Sequence, residues 1–169
     1  MAVREILVHP DACLKQIAAP VTAFEDALET LYKDLEDTLL QAPGCVGIAA
    51  PQIGYSQRAV MVDVKDSAYG RLLLVNPEIV RHEGLVRGRE GCLSVPDFTG
   101  NVIRADSIVV QARDRYGKEQ ELAFSGFEAR VVQHELDHLD GLLFLDRLIS
   151  RRHDLFRRKV YKENKSPQP

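Results

Sequence analysis

The stretch Gln133-His134-Glu135-Leu136-Asp137-His138 constrains this chain more than any other. On an α-helix, residues i and i+4 stand one turn apart on the same face, about 5–6 Å between Cβ atoms, so His134 and His138 can share one metal ion. Glu135 then projects beside the ion. It is poorly placed as a third ligand and well placed as a general base toward a water held there. A fold that uses this stretch must turn one face of a helix toward a protected centre.

Helix signals surround the motif. Ser125-Gly126-Phe127-Glu128 reads as a capping box that opens the helix; Phe127, Val131 and Leu139 give it an apolar component, and Asp140-Gly141 supplies its stop. Far upstream, Thr22-Ala23-Phe24-Glu25 reads as another capping box. It precedes apolar residues from Phe24 to Leu39 at spacings of three and four, and Pro43-Gly44 ends that amphipathic helix. Residues 1–21 read as an irregular arm with a short helical turn around Asp11 to Ile17.

Between residues 57 and 124 the pattern changes to β-rich runs separated by turn signals: Arg58 to Val64, Arg71 to Val75, Glu78 to Val86, Ser107 to Ala112 and Gln120 to Phe124. Asp114 to Lys118 reads as a hairpin turn, so several antiparallel strands are expected. A final helix is expected from Asp146 to about Lys162. The fold class is therefore α+β, with antiparallel strands packed around the metal-binding helix, an amphipathic helix near the N-terminus and another helix near the C-terminus. One catalytic domain over residues 1–165 is expected, with 166–169 as a disordered tail.

Composition narrows the setting. A chain of 169 residues can bury a sizeable core without disulfides. A net charge of −3 argues against whole-surface binding to nucleic acid, so no DNA partner is expected. Cys13, Cys45 and Cys92 are an odd, widely spaced set, which suits a reducing compartment. Met1 to Pro10 has no apolar core of a secretory signal, and the uncharged run Thr38 to Gln57 carries too many prolines, glycines and glutamines to span a membrane. A cytoplasmic protein is expected, with a processed organellar form also compatible. Residues 151–165 hold seven Lys or Arg against Asp154 and Glu163, a local balance of +5 that leaves −8 for the remainder and suggests an anionic partner.

A catalytic mononuclear metal usually has three protein ligands, and the third decides the class. Phe144 stands where the metzincin pattern needs a histidine, and Glu163 is the only glutamate downstream, in a charged tail. Upstream lies Glu90-Gly91-Cys92-Leu93-Ser94, whose thiol a metal would hold as thiolate, completing a Cys-His-His site.

Three separated motifs now stand together: Gly47-Ile48-Ala49-Ala50-Pro51-Gln52 followed by Ile53-Gly54, then Glu90-Gly91-Cys92-Leu93-Ser94, then Gln133-His134-Glu135-Leu136-Asp137-His138 with Gly141. In order and interval they resemble the peptide deformylases, and the likeness extends over nearly the whole chain. The resemblance implies hydrolysis of the formyl group from the N-terminal formylmethionine of new polypeptides, with release of formate. It implies Cys92, His134 and His138 as metal ligands and Glu135 as general base and then acid. It also implies an oxyanion held by the Gln52 side chain and the Leu93 backbone N–H. One divalent metal per chain is implied, ferrous iron in the first place, with zinc, nickel or cobalt as substitutes.

Formylmethionyl nascent peptides are the implied partners, and the ribosome near its nascent-chain exit is the candidate anionic surface for the basic C-terminal helix. Val46, Gly47, Ile48, Glu90 and Val131 are candidates for the substrate pocket. Arg104 is expected to pair with Glu90 and steady the Cys92 strand, and Asp137 to orient a neighbouring group. Two positions depart from the usual pattern. Cys45 stands where glycine is usual, and Thr99 stands near where many bacterial members carry arginine; both bear on the pocket rim rather than the chemistry.

Overall fold

The computed structural model describes residues 3–159, and the tail expected at 166–169 lies outside them. An arm carrying a 3₁₀ turn, Ala12–Lys15, leads to helix α1, Asp26–Gln41. Then come β1 Gly47–Ala49, a 3₁₀ turn Ala50–Ile53, β2 Ala59–Val62 and β3 Leu72–Glu83. The long hairpin of β4 Val86–Cys92 and β5 Val95–Arg104 follows, then β6 Ser107–Arg113 and β7 Glu119–Ser125. Helix α2, Gly126–Leu139, carries the histidines, and a 3₁₀ turn Phe144–Asp146, a single turn α3 Arg151–Asp154 and β8 Leu155–Arg157 close the described chain.

Two antiparallel sheets result, one ordered β1-β2-β3-β6-β7 and one ordered β4-β5-β8. The β1–β2 end of the larger sheet is covered on both faces, and β2 shows why its four residues are all apolar. Val60 and Val62 pack with the α2 side chains Val132, Leu136 and Leu139, whereas Ala59 and Met61 pack with Leu28, Leu31, Leu35 and Leu39 of α1. Alternation in a strand sends successive side chains to opposite faces, so a strand between two helices is apolar throughout. The smaller sheet has its own cluster, in which Cys92, Val95 and Val102 meet Leu143 and Phe144. Phe144, the residue at the metzincin histidine position, is thus core.

Three expectations are corrected. Helix α1 begins at Asp26 rather than with a Thr22 cap, and Glu25 in the N-cap position makes no side-chain capping bond. The Asn76 amide takes both the N–H and the C=O of Val21, each at 2.8 Å, and holds the chain extended up to the helix. Ser125 likewise makes no side-chain cap on α2, because it ends β7 and the Glu128 carboxylate turns instead to the Ser67 hydroxyl.

The C-terminal helix expected from Asp146 to Lys162 is only the turn Arg151–Asp154 over the described residues. Asp154 is drawn inward by the Ser150 N–H and the Arg87 guanidinium, and Leu155, Phe156 and Arg157 pair with Gly100, Thr99 and Phe98 of β5. An open strand edge offers a row of backbone partners that outweighs local helix propensity. No helix among the described residues is long and apolar enough to cross a membrane.

The arm is tied down where it passes the centre. Leu7 N–H donates to the Gln52 carbonyl and His9 N–H to the Ser94 carbonyl, both at 2.8 Å. Asp34 of α1, 3% exposed, anchors the same arm by accepting from Arg4 Nε and Tyr55 OH, each at 2.8 Å. Burial works against the Asp34 charge, but the bonds from Tyr55 and Arg4 more than offset it and hold the carboxyl below its usual range. A lowered folded-state pKa gives stability that is present above the unfolded value of about 3.9 and lost as pH falls through the folded one. Asp34→Asn should therefore cost about 1–2 kcal/mol at pH 7, read by urea unfolding, and the difference from the parent should shrink as pH falls below about 4.

Candidate metal centre and its pocket

Three elements meet at one point. Strand β4 ends in Cys92, and α2 presents His134 and His138 from successive turns; one ligand atom from each lies within 4.8 Å of the others. The Cys92 sulfur is 3.4 Å from His138 Nε2, and the imidazoles meet edge to face with centroids 5.1 Å apart. All three side chains are at least nine-tenths shielded from solvent. Soft sulfur with two imidazoles fits a divalent transition metal. Two buried polar atoms beside this cluster, His138 Nδ1 and Glu135 Oε2, have no hydrogen-bond partner among the described residues.

The Glu90 carboxylate holds the assembly together. Its Oε1 accepts from Arg104 Nε at 2.9 Å and Arg130 Nη1 at 2.8 Å, and its Oε2 accepts from Arg104 Nη2 and His134 Nδ1, both at 2.9 Å. Burial opposes the charge, yet the hydrogen bonds from His134 and Arg104 hold Glu90 far below the usual carboxylate range. With Nδ1 committed to Glu90, His134 turns Nε2 toward the cluster. Asp137 extends the network by accepting from Arg104 Nη1 and from Arg147 Nε and Nη2.

Gln52, buried in the 3₁₀ turn after β1, is oriented by two bonds. Its Oε1 accepts from the Ala49 N–H at 2.9 Å, so its Nε2 must face the other way, 3.1 Å from Ser94 Oγ and 3.5 Å from the Cys92 sulfur. Glu135 lies against β1 so closely that a Cβ on Gly47 would stand 2.7 Å from its Oε1. Glycine is the residue that leaves this space. Burial pushes the Glu135 carboxyl up to about 7, with the nearby Glu90 charge adding to the rise and His134 opposing it.

A cleft of about 280 Å³ opens from this centre to solvent. Gln52, Cys92, His134 and Glu135 lie in its interior, and Val46, Gly47, Leu93 and Val131 line it too. Glu90 forms part of its wall with both oxygens already engaged. Ile48 does not line the cleft: it is fully buried among the α1 residues, because alternation along β1 sends it opposite to Gly47 and Ala49. Phe127, read as part of the helix's apolar face, is 59% exposed at the cleft mouth. Cys45 lines the cleft with its thiol donating to the Gly47 carbonyl at 3.1 Å. Burial, and then the Glu135 charge, push that thiol up to about 11, so it stays protonated at neutral pH.

Sequence reasoning missed Arg130 and Arg147, and named Ser94 as part of the Cys92 motif without its contact to Gln52. Arg130 was detectable in principle, since it precedes His134 by one helical turn and the two meet the same carboxylate.

A thiol at a strand end beside the two imidazoles of an H-E-x-x-H helix, with an unpaired carboxylate oxygen next to them in an open cleft, defines the plan of a metal-dependent hydrolase. Comparison with known proteins makes this specific. The chain belongs to the polypeptide deformylase family, whose profile matches residues 3–154. It is 48% identical to peptide deformylase 1 of Bacillus subtilis over 88% of this chain and 91% of that one. Over 96% of this chain and 91% of the other, it is 44% identical to the peptide deformylase of Alkalilimnicola ehrlichii. Among solved structures it resembles a peptide deformylase from Legionella pneumophila, with TM-score 0.83, 46% identity and coverage of 87% of this chain and 86% of that one. It also resembles a Met-Ala-Ser-bound class I type b peptide deformylase from Acinetobacter baumannii, with TM-score 0.81, 39% identity and coverage of 87% and 99%. The chain is a peptide deformylase, an enzyme that hydrolyses an amide.

Glu90→Gln should remove the counter-charge of two shielded guanidiniums and release His134. We expect a loss of about 3 kcal/mol or more in urea unfolding and a roughly 10- to 100-fold weaker metal affinity in chelator competition.

Proposed function

We propose that residues 1–165 work as a single catalytic domain in which Cys92, His134 and His138 hold one divalent metal, Glu135 moves the proton and Gln52 with the Leu93 N–H stabilises the oxyanion. The observation that carries this reading is the convergence of the three ligand atoms within 4.8 Å beside a buried carboxylate with an unpaired oxygen. Ferrous iron is the proposed metal, with zinc, nickel and cobalt able to replace it in the same donor set. When bound, the metal polarises the formyl carbonyl and acidifies the attacking water.

The protein's own groups carry the rest. Glu135 accepts a proton from the water as it attacks the formyl carbon. The Gln52 amide, its oxygen locked to Ala49, aims N–H at the oxygen that becomes negative, where a preformed donor contributes most. Glu135 then returns the proton to the leaving nitrogen, the C–N bond breaks, and formate and a free methionine amine result. Val46 and Val131, with the bare backbone of Gly47, form the apolar side of the cleft that accepts the methionine side chain. The proposed substrates are formylmethionyl nascent peptides in the cytoplasm.

The test compares formyl-Met-Ala-Ser with its acetyl analogue under anaerobic conditions, using iron-loaded protein. Formate should appear only from the formyl peptide. Glu135→Gln should abolish turnover while keeping stoichiometric metal, and Gln52→Ala should lower kcat by about 10²- to 10³-fold. Turnover by Glu135→Gln would remove it as the base.

The basic C-terminal segment, which begins at α3 and β8, is proposed to meet anionic ribosomal RNA. Replacing its seven Lys and Arg by Gln should reduce salt-sensitive co-sedimentation with ribosomes, and unchanged co-sedimentation would dispose of the idea.

A further inference from the structure

The outer rim of the cleft carries charge that no carboxylate among the described residues neutralises. Most arginines of the described chain meet a carboxylate, as Arg4 meets Asp34, Arg58 meets Asp140 and Arg104 meets Glu90. Two that line the cleft do not. Arg89, exposed on β4, bonds only neutral oxygens, Asn101 Oδ1 at 2.9 Å and Thr99 Oγ1 at 3.2 Å, and its guanidinium carbon sits 3.6 Å from the centroid of the Phe156 ring.

Arg158 follows β8 directly. Its N–H donates to the Asp97 carbonyl at 2.8 Å, and its guanidinium rests against Gly91, where a Cβ would lie 2.6 Å from Nη2. Its side chain has no hydrogen bond or ion pair among the described residues. The cleft's own carboxylates, Glu90 and Glu135, are buried in its interior, so they leave the mouth positive. The cross-strand pairing of β8 with β5 and the stacking of Arg89 on Phe156 hold both guanidiniums on the same side of the mouth. Two arginines held in place with no carboxylate partner among the described residues form a receptor for an anion arriving through that mouth.

We infer that Arg89 and Arg158 select formyl peptides that carry an acidic side chain at the second or third residue. This rests on the deformylase reading above: the reacting end lies at the buried cluster, and the residues after methionine leave past the rim. A charge there is met equally in the bound and reacting complexes, so the selection falls on KM and leaves kcat alike for acidic and neutral peptides.

The test measures kcat and KM of the metal-loaded enzyme for formyl-Met-Ala-Glu, formyl-Met-Glu-Ala and their glutamine counterparts at low and high salt. In parallel, calorimetric titration with Met-Ala-Glu and Met-Ala-Gln reads binding without turnover. The better of the two glutamate peptides should be favoured about fivefold in kcat/KM through KM, and the advantage should fade toward unity at roughly 0.5 M salt. Arg158→Glu should invert the ratio and favour formyl-Met-Ala-Lys. An enzyme that turns over the glutamine peptides but shows neither charge preference nor salt dependence overturns the selection alone. Absence of formate from every peptide overturns the deformylase reading, and this inference with it.

Discussion

A buried carboxylate with four donors sets the geometry on which the rest of the structure depends. Glu90 belongs to β4, Arg104 to β5, and Arg130 and His134 to α2, so one side chain joins the small sheet to the metal-binding helix. Burying a carboxylate is costly unless every acceptor site is used by a well-placed partner. Because all four bonds form together, β4 has little freedom to slide along α2. Cys92, two residues beyond Glu90, is thereby held opposite His134 and His138, although nothing local in its own strand would direct a thiol to that point.

The second constraint is the close approach of β1 to α2. Sheet and helix pack tightly enough that Gly47 has no room for a side chain against Glu135, and the next turn delivers Gln52 to the Cys92 side of the same cleft. Helix α1 covers the opposite face of that sheet, which makes β1 and β2 an interior layer with no loose side. The N-terminal arm then bonds to the backbone of Gln52 and Ser94, closing the centre from outside the sheet. The groups of the centre sit on elements pinned from at least two directions, as a preorganised donor set requires.

Local signals were reliable where a segment's own period decides its structure. The apolar spacing from Leu28 to Leu39 and the i, i+4 pair His134 and His138 needed no distant information, and both segments are helices. The same local reading erred where a distant group competes. The two capping boxes gave way to the Asn76 amide and the Ser67 hydroxyl, and the C-terminal helical pattern gave way to the open edge of β5. The hairpin of β4 and β5 was illegible in advance, because its outer face is largely polar and its run is interrupted by Gly88, Gly91 and Gly100.

By itself the sequence determined the chemical inventory and the local periods: a helix bearing two imidazoles and a carboxylate, a cysteine framed by glycine and serine, and an interior layer of apolar strands. Those properties depend on residue type and on spacing within one turn or one strand. Only the tertiary structure decided that Arg130 and His134 join Arg104 on Glu90, that Ile48 faces α1 rather than the cleft, and that Arg158 reaches its rim. Each of these depends on two segments far apart in the chain arriving at one place, which burial and strand pairing settle across the whole molecule and no short window of sequence contains.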